Sequence, residues 1–495
     1  MRKWVFLVFL LSFLAVGIAG CKSDQVKTTQ DRDRSTEAGP PVQQPKETAS
    51  IRRESEDTFS LLLLVSELLN KGDYDAALAG FDRIDQQEAE KIEIRLLKAS
   101  ALVSAGQFTD ARSIIDEILK NNPGHIPALL LLSTVEEAQN RNREQRAVLE
   151  RVLALEPDNV TALVSMGKLM IRNSTTMLAG PYFDRALASD PENGEALLGR
   201  AWVYRNEREP KKAEALLNKA VELYPNWAQA FQERGRLYKA AGFFREALAD
   251  LDQANTLEPE NYFIACDRGD ALKSLNRRDE ALAEYERAIK LNPNYFLAYV
   301  FSGSLKDDLG DYDGAFNDYR ILASLNPDYY FALAELGMHL MRREEWLAAK
   351  DAFVEAYRRA AKMSGPAKTN SAGSEESAYA LLAAANWLKG GTRQDARAFL
   401  DDALRRVERD SLEYRMLRLY RDWAGDADIT NRIDREKNPL IRSRMLFYFA
   451  WYYDIRGNKN LANKLFLQVR DLETANIIEW RLNEWILEAR GLALQ

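Results

Sequence analysis

Seven prolines set a beat through the middle of this chain. Pro123, Pro157, Pro191, Pro225, Pro259, Pro293 and Pro327 each stand 34 residues after the last. The chain has only 15 prolines, so nearly half serve one period. Proline has no N–H to donate, and its ring clashes with the turn before it, so it cannot continue a helix. Each of the seven therefore closes a unit. A fixed period of this length is the mark of stacked structural repeats, which lengthen by adding units and do not enlarge a single core. The 495 residues thus imply an array, and the roughly three globular domains that length alone suggests are not required.

Counting back from each proline as position 32 brings other landmarks into phase. Position 8 carries Ala99, Gly167, Ala201, Gly235, Gly269, Gly303 and Gly337, and position 20 carries Ala77, Ala111, Ala213, Ala247, Ala281, Ala315 and Ala349. Position 24 is mostly large and apolar, as at Phe81, Phe183, Tyr285, Tyr319 and Phe353. Small residues at 8 and 20 let two antiparallel helices approach, and the bulky ones fill the space beside them. The phase predicts a helix of about 14 residues, a short turn and a second helix of similar length. Gly72-Asp73-Tyr74, Gly106-Gln107-Phe108 and Gly310-Asp311-Tyr312 fall where the first helix must stop.

These landmarks resemble the tetratricopeptide repeat family, and the resemblance covers residues 58–361 as nine copies. Departures are local: Gln145 replaces a small residue in copy three, and copies one and nine lack the closing proline. The resemblance implies an all-α fold, an α-solenoid (a right-handed superhelix) of stacked antiparallel helix hairpins, whose first helices line a concave groove. It further implies binding of a peptide or protein segment without catalysis, so the chain is not expected to be an enzyme.

After Ala361 the period breaks. Residues 362–376 read as a small, polar loop around Gly365 and Pro366. Residues 377–495 read as divergent repeats with a capping helix. A tenth copy carries Trp387, Gly391, Ala396, Leu400 and Ala403 in phase, and a last hairpin carries Ala450, Gly457, Ala462 and Phe466. Phe447, Tyr448, Phe449, Trp451, Tyr452 and Tyr453 cover every side of one helix, which is expected to be buried. Residues 475–490 are expected to close the array.

The amino terminus reads as an address. Arg2 and Lys3 precede a 16-residue apolar run from Trp4 to Ala19, too short and wrongly flanked for a spanning helix. Residues 1–20 are thus a signal peptide, and Ile18-Ala19-Gly20-Cys21 resembles the bacterial lipobox. By that resemblance Cys21 is the lipidation site, carrying diacylglycerol and an N-acyl chain. At about 0.8 kcal/mol per buried CH₂, two or three chains anchor a protein durably where one does not. Lys22 stands where an aspartate would retain some lipoproteins in the inner membrane, which favours the outer membrane, facing the periplasm. Residues 21–57 hold Pro40, Pro41 and Pro45 among polar groups and form a tether that cannot bury enough apolar surface to fold.

Little here points to chemistry. The two cysteines, Cys21 and Cys266, and two histidines, His125 and His339, suffice for neither a disulfide framework nor a zinc knuckle. No metal and no cofactor is expected. A net charge of −7 spread along the chain gives no nucleic-acid footprint. Ser165-Met166-Gly167-Lys168 has the Ser-x-x-Lys spacing of penicillin-binding enzymes but occupies repeat positions and lacks partner motifs. Gly365-Pro366-Ala367-Lys368-Thr369 lacks the upstream glycine and strand of a phosphate loop. Paired acids such as Asp307-Asp308 read as a solvated helix face.

The expected function is an adaptor for other envelope proteins or peptides, held to the membrane through its lipid. The rival is an envelope enzyme or small-ligand carrier with a site in the carboxy-terminal region, which a pocket of convergent charged groups would favour. In the family's register, first-helix positions 2, 5, 6, 9, 12 and 13 face the groove. Copies five and six place Trp202, Arg205, Gln232, Glu233, Arg236 and Lys239 there. In copies seven to nine the positions turn apolar: Phe263, Cys266, Leu297, Val300, Phe301, Phe331, Met338 and Met341. These eight are the expected partner-binding surface, suited to an apolar or amphipathic segment.

Overall fold

The first helix of every copy begins 34 residues after the one before, at Thr58, Ile92, Ile126, Val160, Gly194, Ala228, Tyr262, Phe296 and Tyr330. The computed structural model describes residues 58–364, 375–391, 393–474 and 477–492; the tether and the lipobox cysteine lie outside them. Among the described residues there are 26 α-helices and no strand. Second helices begin at Tyr74, Phe108, Asn142, Pro210, Phe244, Arg278, Tyr312 and Trp346, again in register. Copy four differs, because Pro181 could not donate to the turn before it in a helix begun at Thr176. A 3₁₀ turn, Thr176–Leu178, fills that place and the helix Gly180–Ser189 follows with Pro181 in its first turn. In copy one the second helix ends early at Phe81, and Asp85 caps a separate short helix, Gln86–Ala89.

The hairpin turns share one backbone feature. Gly72, Gly106, Asn140, Ser174, Arg208, Gly242, Asn276, Gly310 and Glu344 all have positive φ and all occupy position 15. That left-handed residue ends the first helix and reverses the chain, which favours glycine and tolerates asparagine. Arg208 and Glu344 hold it against an unfavourable intrinsic preference, because the hairpin packing on either side fixes the turn.

Packing within a hairpin explains the small residues. A Cβ on Gly269 would lie 2.5 Å from the Tyr285 ring, and one on Gly167 would lie 2.6 Å from Phe183. Gly337 faces Phe353 in the same way. The ring at position 24 thus occupies the notch left by glycine at position 8. Neighbouring copies are joined by a repeated latch: a cation at position 26 donates to the carbonyl of the preceding copy's proline. Arg151 reaches Pro123 at 3.1 Å, Lys219 reaches Pro191 at 2.8 Å and Arg287 reaches Pro259 at 2.7 Å. Asn159, Asn193 and Asn261 cap the following first helices through their side-chain oxygens. His125 does the same through Nδ1, 3.3 Å from the Ala128 N–H, which gives it a structural role.

The chain divides at Pro225 into two compact units. The first holds copies one to five. The second begins at Asn226 and holds copies six to nine and everything after them. In it the second helix of copy nine runs to Ser364, and the next helix, Glu375–Gly390, starts before Ser377, so helix enters both ends of the expected loop. From Ser377 to Asn386 that helix is buried on all sides. The aromatic helix Pro439–Ile455 is buried from Ser443 to Tyr452, as its sequence predicts. Its Tyr448 hydroxyl donates to Glu479 at 2.6 Å, and the Arg444 guanidinium pairs with the same carboxylate at 2.9 Å. Glu479 is fully buried there, so the terminal helix Ile478–Ala489 is fastened to the core at its first turn.

Candidate interaction groove

In copies six and seven the first helices carry a polar ladder. Asp267 accepts from Gln232 at 2.6 Å and from Arg236 at 2.8 Å, and Arg236 also binds Glu233. One turn on, Asp270 accepts from Lys239 at 2.5 Å and from the Tyr285 hydroxyl at 2.8 Å. Burial pushes the Asp267 carboxyl above its ordinary range, against the pull of Arg236. The register places Gln232, Glu233, Arg236 and Lys239 on one wall; the structure adds Asp267 and Asp270 of the next copy as their partners.

Copies eight and nine carry a different wall. Arg481, from the terminal helix, is hydrogen-bonded to Glu335, lies 3.6 Å from Asp307 and touches the Met338 sulfur at 3.6 Å. Trp485, one turn further, packs edge-on against Tyr312 and against the His339 ring, with centroids 5.3 Å apart in each case. His339 Nε2 is 3.0 Å from Asp307, which also accepts from the Tyr319 hydroxyl. Asp307 is therefore no solvated acid: its side chain is buried beneath the terminal helix. Burial pushes the Glu335 carboxyl up while the Arg481 cation pulls it down, and the net shift is upward.

The eight residues expected to line one apolar surface separate into three groups. Cys266, Met338 and Met341 are 4%, 0% and 5% exposed and belong to the core, which corrects their assignment. Cys266 lies inside the copy-seven packing, where burial lifts its thiol to about 12. Met338 and Met341 share a core with Leu482 and Trp485 of the terminal helix. Leu297, Val300 and Phe301 are half-buried, and Phe301 packs on Tyr285. Phe263 and Phe331 remain on the edge, the latter 39% exposed.

That edge carries the surface which single positions did not reveal. Phe263 lies 5.1 Å from Tyr295, which in turn packs on Tyr262 at 4.9 Å. Phe296 meets Tyr329 at 6.0 Å, Phe331 stacks on Tyr330 at 4.5 Å, and Tyr330 meets Tyr379. These are positions 34, 1 and 2, where one copy ends and the next begins. The strip was legible as Asn-Tyr-Phe at 261–263, Asn-Tyr-Phe at 294–296 and Tyr-Tyr-Phe at 329–331, had the repeat joints been read across copies. Elsewhere, Lys168 of the Ser-x-x-Lys stretch pairs with Glu195 of the next copy at 3.0 Å, a structural role. Residues 365–369 lie outside the described residues. Among the described residues no group of three or more His, Cys, Asp or Glu is placed to hold a metal.

The hairpins in fixed register define a helical-repeat protein. The tetratricopeptide repeat family model matches residues 68–135 and 178–234, and a TPR repeat model matches 269–300. The chain carries tetratricopeptide repeats, units of a class that binds proteins or peptides and is generally non-enzymatic. It is similar to a solved tetratricopeptide repeat protein from Parabacteroides merdae, with 19% identity, 50% of this chain and 98% of that one covered, and a TM-score of 0.42. It is also similar to PilF of Pseudomonas aeruginosa, with 21% identity, 40% and 90% covered, and a TM-score of 0.37. For PilW, described as a type IV pilus biogenesis factor, the values are 20%, 41%, 94% and 0.38. No curated protein sequence matches the chain.

Proposed function

We propose that this protein is a lipid-anchored, non-enzymatic adaptor of the bacterial envelope that holds an apolar or amphipathic segment of a partner protein. The observation that carries the reading is the aromatic strip from Tyr262 to Phe331. Half-exposed aromatic rings gathered at repeat joints offer the large, low-entropy contacts on which protein interfaces concentrate their affinity. The anchor rests on the residues before Cys21 and on their resemblance to a lipobox, and Lys22 favours an outer-membrane location facing the periplasm.

The test places a photo-crosslinking residue at Phe263 or Phe331 in the full chain in its own envelope, with Phe243 as an exposed control outside the strip. One discrete adduct from the strip and none from the control is expected. Phe263→Ala with Phe331→Ala should weaken capture of that partner by at least about tenfold, since two aromatic anchors of about 1.5 kcal/mol or more are lost. Equal adducts at all three places would remove the strip from the account. Cys21→Ala should end incorporation of a fatty-acid analogue, and label kept by that variant would remove the anchor.

A further inference from the structure

Within the second unit a cavity of about 760 Å³ opens between the copy-nine turn, the end of the Glu375–Gly390 helix, the aromatic helix and the terminal helix. That volume falls in the range of small-molecule sites. Its walls are aromatic: Tyr312, Trp346, Trp451 and Trp485 all line it. Its floor is positive. Lys389 lies 4.9 Å from the centroids of both Trp346 and Trp451 and binds Asp454 at 2.9 Å. Arg490 binds the other oxygen of Asp454 at 2.6 Å. Burial opposes ionisation of Asp454, yet the two cations hold its carboxyl below the ordinary range. One carboxylate thus serves two cations, and one positive charge is left over.

Arg342 stands at the cavity mouth without a counter-charge among the described residues. The Arg342 guanidinium stacks 3.6 Å over the Tyr312 ring and 5.7 Å from Trp485, and it makes no ion pair with any described residue. Stacking fixes the plane of the guanidinium and leaves its edge to reach a carboxylate or phosphate in two-point fashion. Glu344 and Glu488 stand among the lining groups and are exposed, and Asp313 is already paired with Arg343.

We propose that this cavity binds a small organic anion, a carboxylate or phosphate on a flat apolar body, with Arg342 holding the anionic group and the aromatic walls holding the body. It is a site separate from the aromatic strip. Titration calorimetry of the full chain with 2-naphthoate and 2-naphthyl phosphate tests it, with neutral 2-naphthamide as the comparison. At least one anion should bind with Kd below about 1 mM and at least tenfold more tightly than the amide. The tighter of the two anions identifies the head group. Arg342→Gln should lower its affinity at least tenfold. Arg342 is exposed, so its variant should keep the parent's unfolding transition. No binding of either anion at 1 mM, equal binding of the amide, or unchanged affinity in Arg342→Gln would overturn the proposal.

Discussion

Copies six and seven and copies eight and nine have the same first-helix register but opposite fates at the same positions. At position 12 the series runs Lys239, Lys273, Asp307, Met341, and at position 9 it runs Arg236, Asp270, Ser304, Met338. In the first pair these residues are half-buried or exposed, and Lys239 pairs with Asp270 across the joint. In the second pair the terminal helix lies over them, so Asp307 and Met341 are buried and their partners come from Arg481, Trp485 and Leu482. Register decides which side of the hairpin a residue occupies. What covers that side is decided by a segment more than a hundred residues away, and the same position can be a polar wall or a core.

The sharpest way to break this contrast is to remove the cover. Trp485→Ala should cost about 3–5 kcal/mol, the usual range for a large buried aromatic. Its urea midpoint should fall accordingly. A shift no larger than that of a surface substitution would mean that the terminal helix is not part of the copy-nine core.

Arg481→Gln tests the electrostatic part and should cost less, about 1–3 kcal/mol at neutral pH, because Arg481 and Glu335 are each partly exposed. Its pH dependence is the clearer sign. The Glu335 carboxyl already titrates above its ordinary value. A raised carboxyl pKa means that the folded state holds the proton more tightly, so this group favours folding below its folded pKa and the benefit is lost as pH rises through it. Without Arg481 the carboxylate loses its counter-charge and that pKa rises further. The difference between variant and parent should therefore be greatest at pH 7 and shrink toward pH 5. A difference that grows on acidification would contradict this.

In the open half the effect should be smallest. Lys239→Gln removes one partner of a half-exposed pair and should change stability by less than about 1 kcal/mol.

Much of the fold was legible because a period constrains many residues at once. Proline spacing gave the helix starts, small residues at position 8 gave the notch for the ring at position 24, and six aromatic residues among the seven of 447–453 gave a buried helix. Copy four departed because Pro181 lies too early to continue a helix from Thr176. The candidate surface was less legible. A register cannot report depth, so it assigns Cys266, Met338 and Met341 to the groove although they are core. Asp307 reads as solvated from its neighbours alone, because its three partners, Tyr319, His339 and Arg481, are 12, 32 and 174 residues away. Phe263 and Phe331 were found by the register, but their joining into a strip depends on Tyr262, Tyr295, Tyr329 and Tyr330, which lie at the copy boundaries and outside the groove positions.

The contrast between a covered wall and an exposed edge is tested most directly by thiol accessibility. In a Cys21→Ser background, Met338→Cys and Phe331→Cys are each treated with a maleimide under native conditions, with buried Cys266 as an internal standard. Phe331→Cys should label rapidly, while Met338→Cys should resist labelling as Cys266 does until the terminal helix is unfolded. Labelling of Met338→Cys at the rate of Phe331→Cys would show an open groove along copies eight and nine and contradict the account.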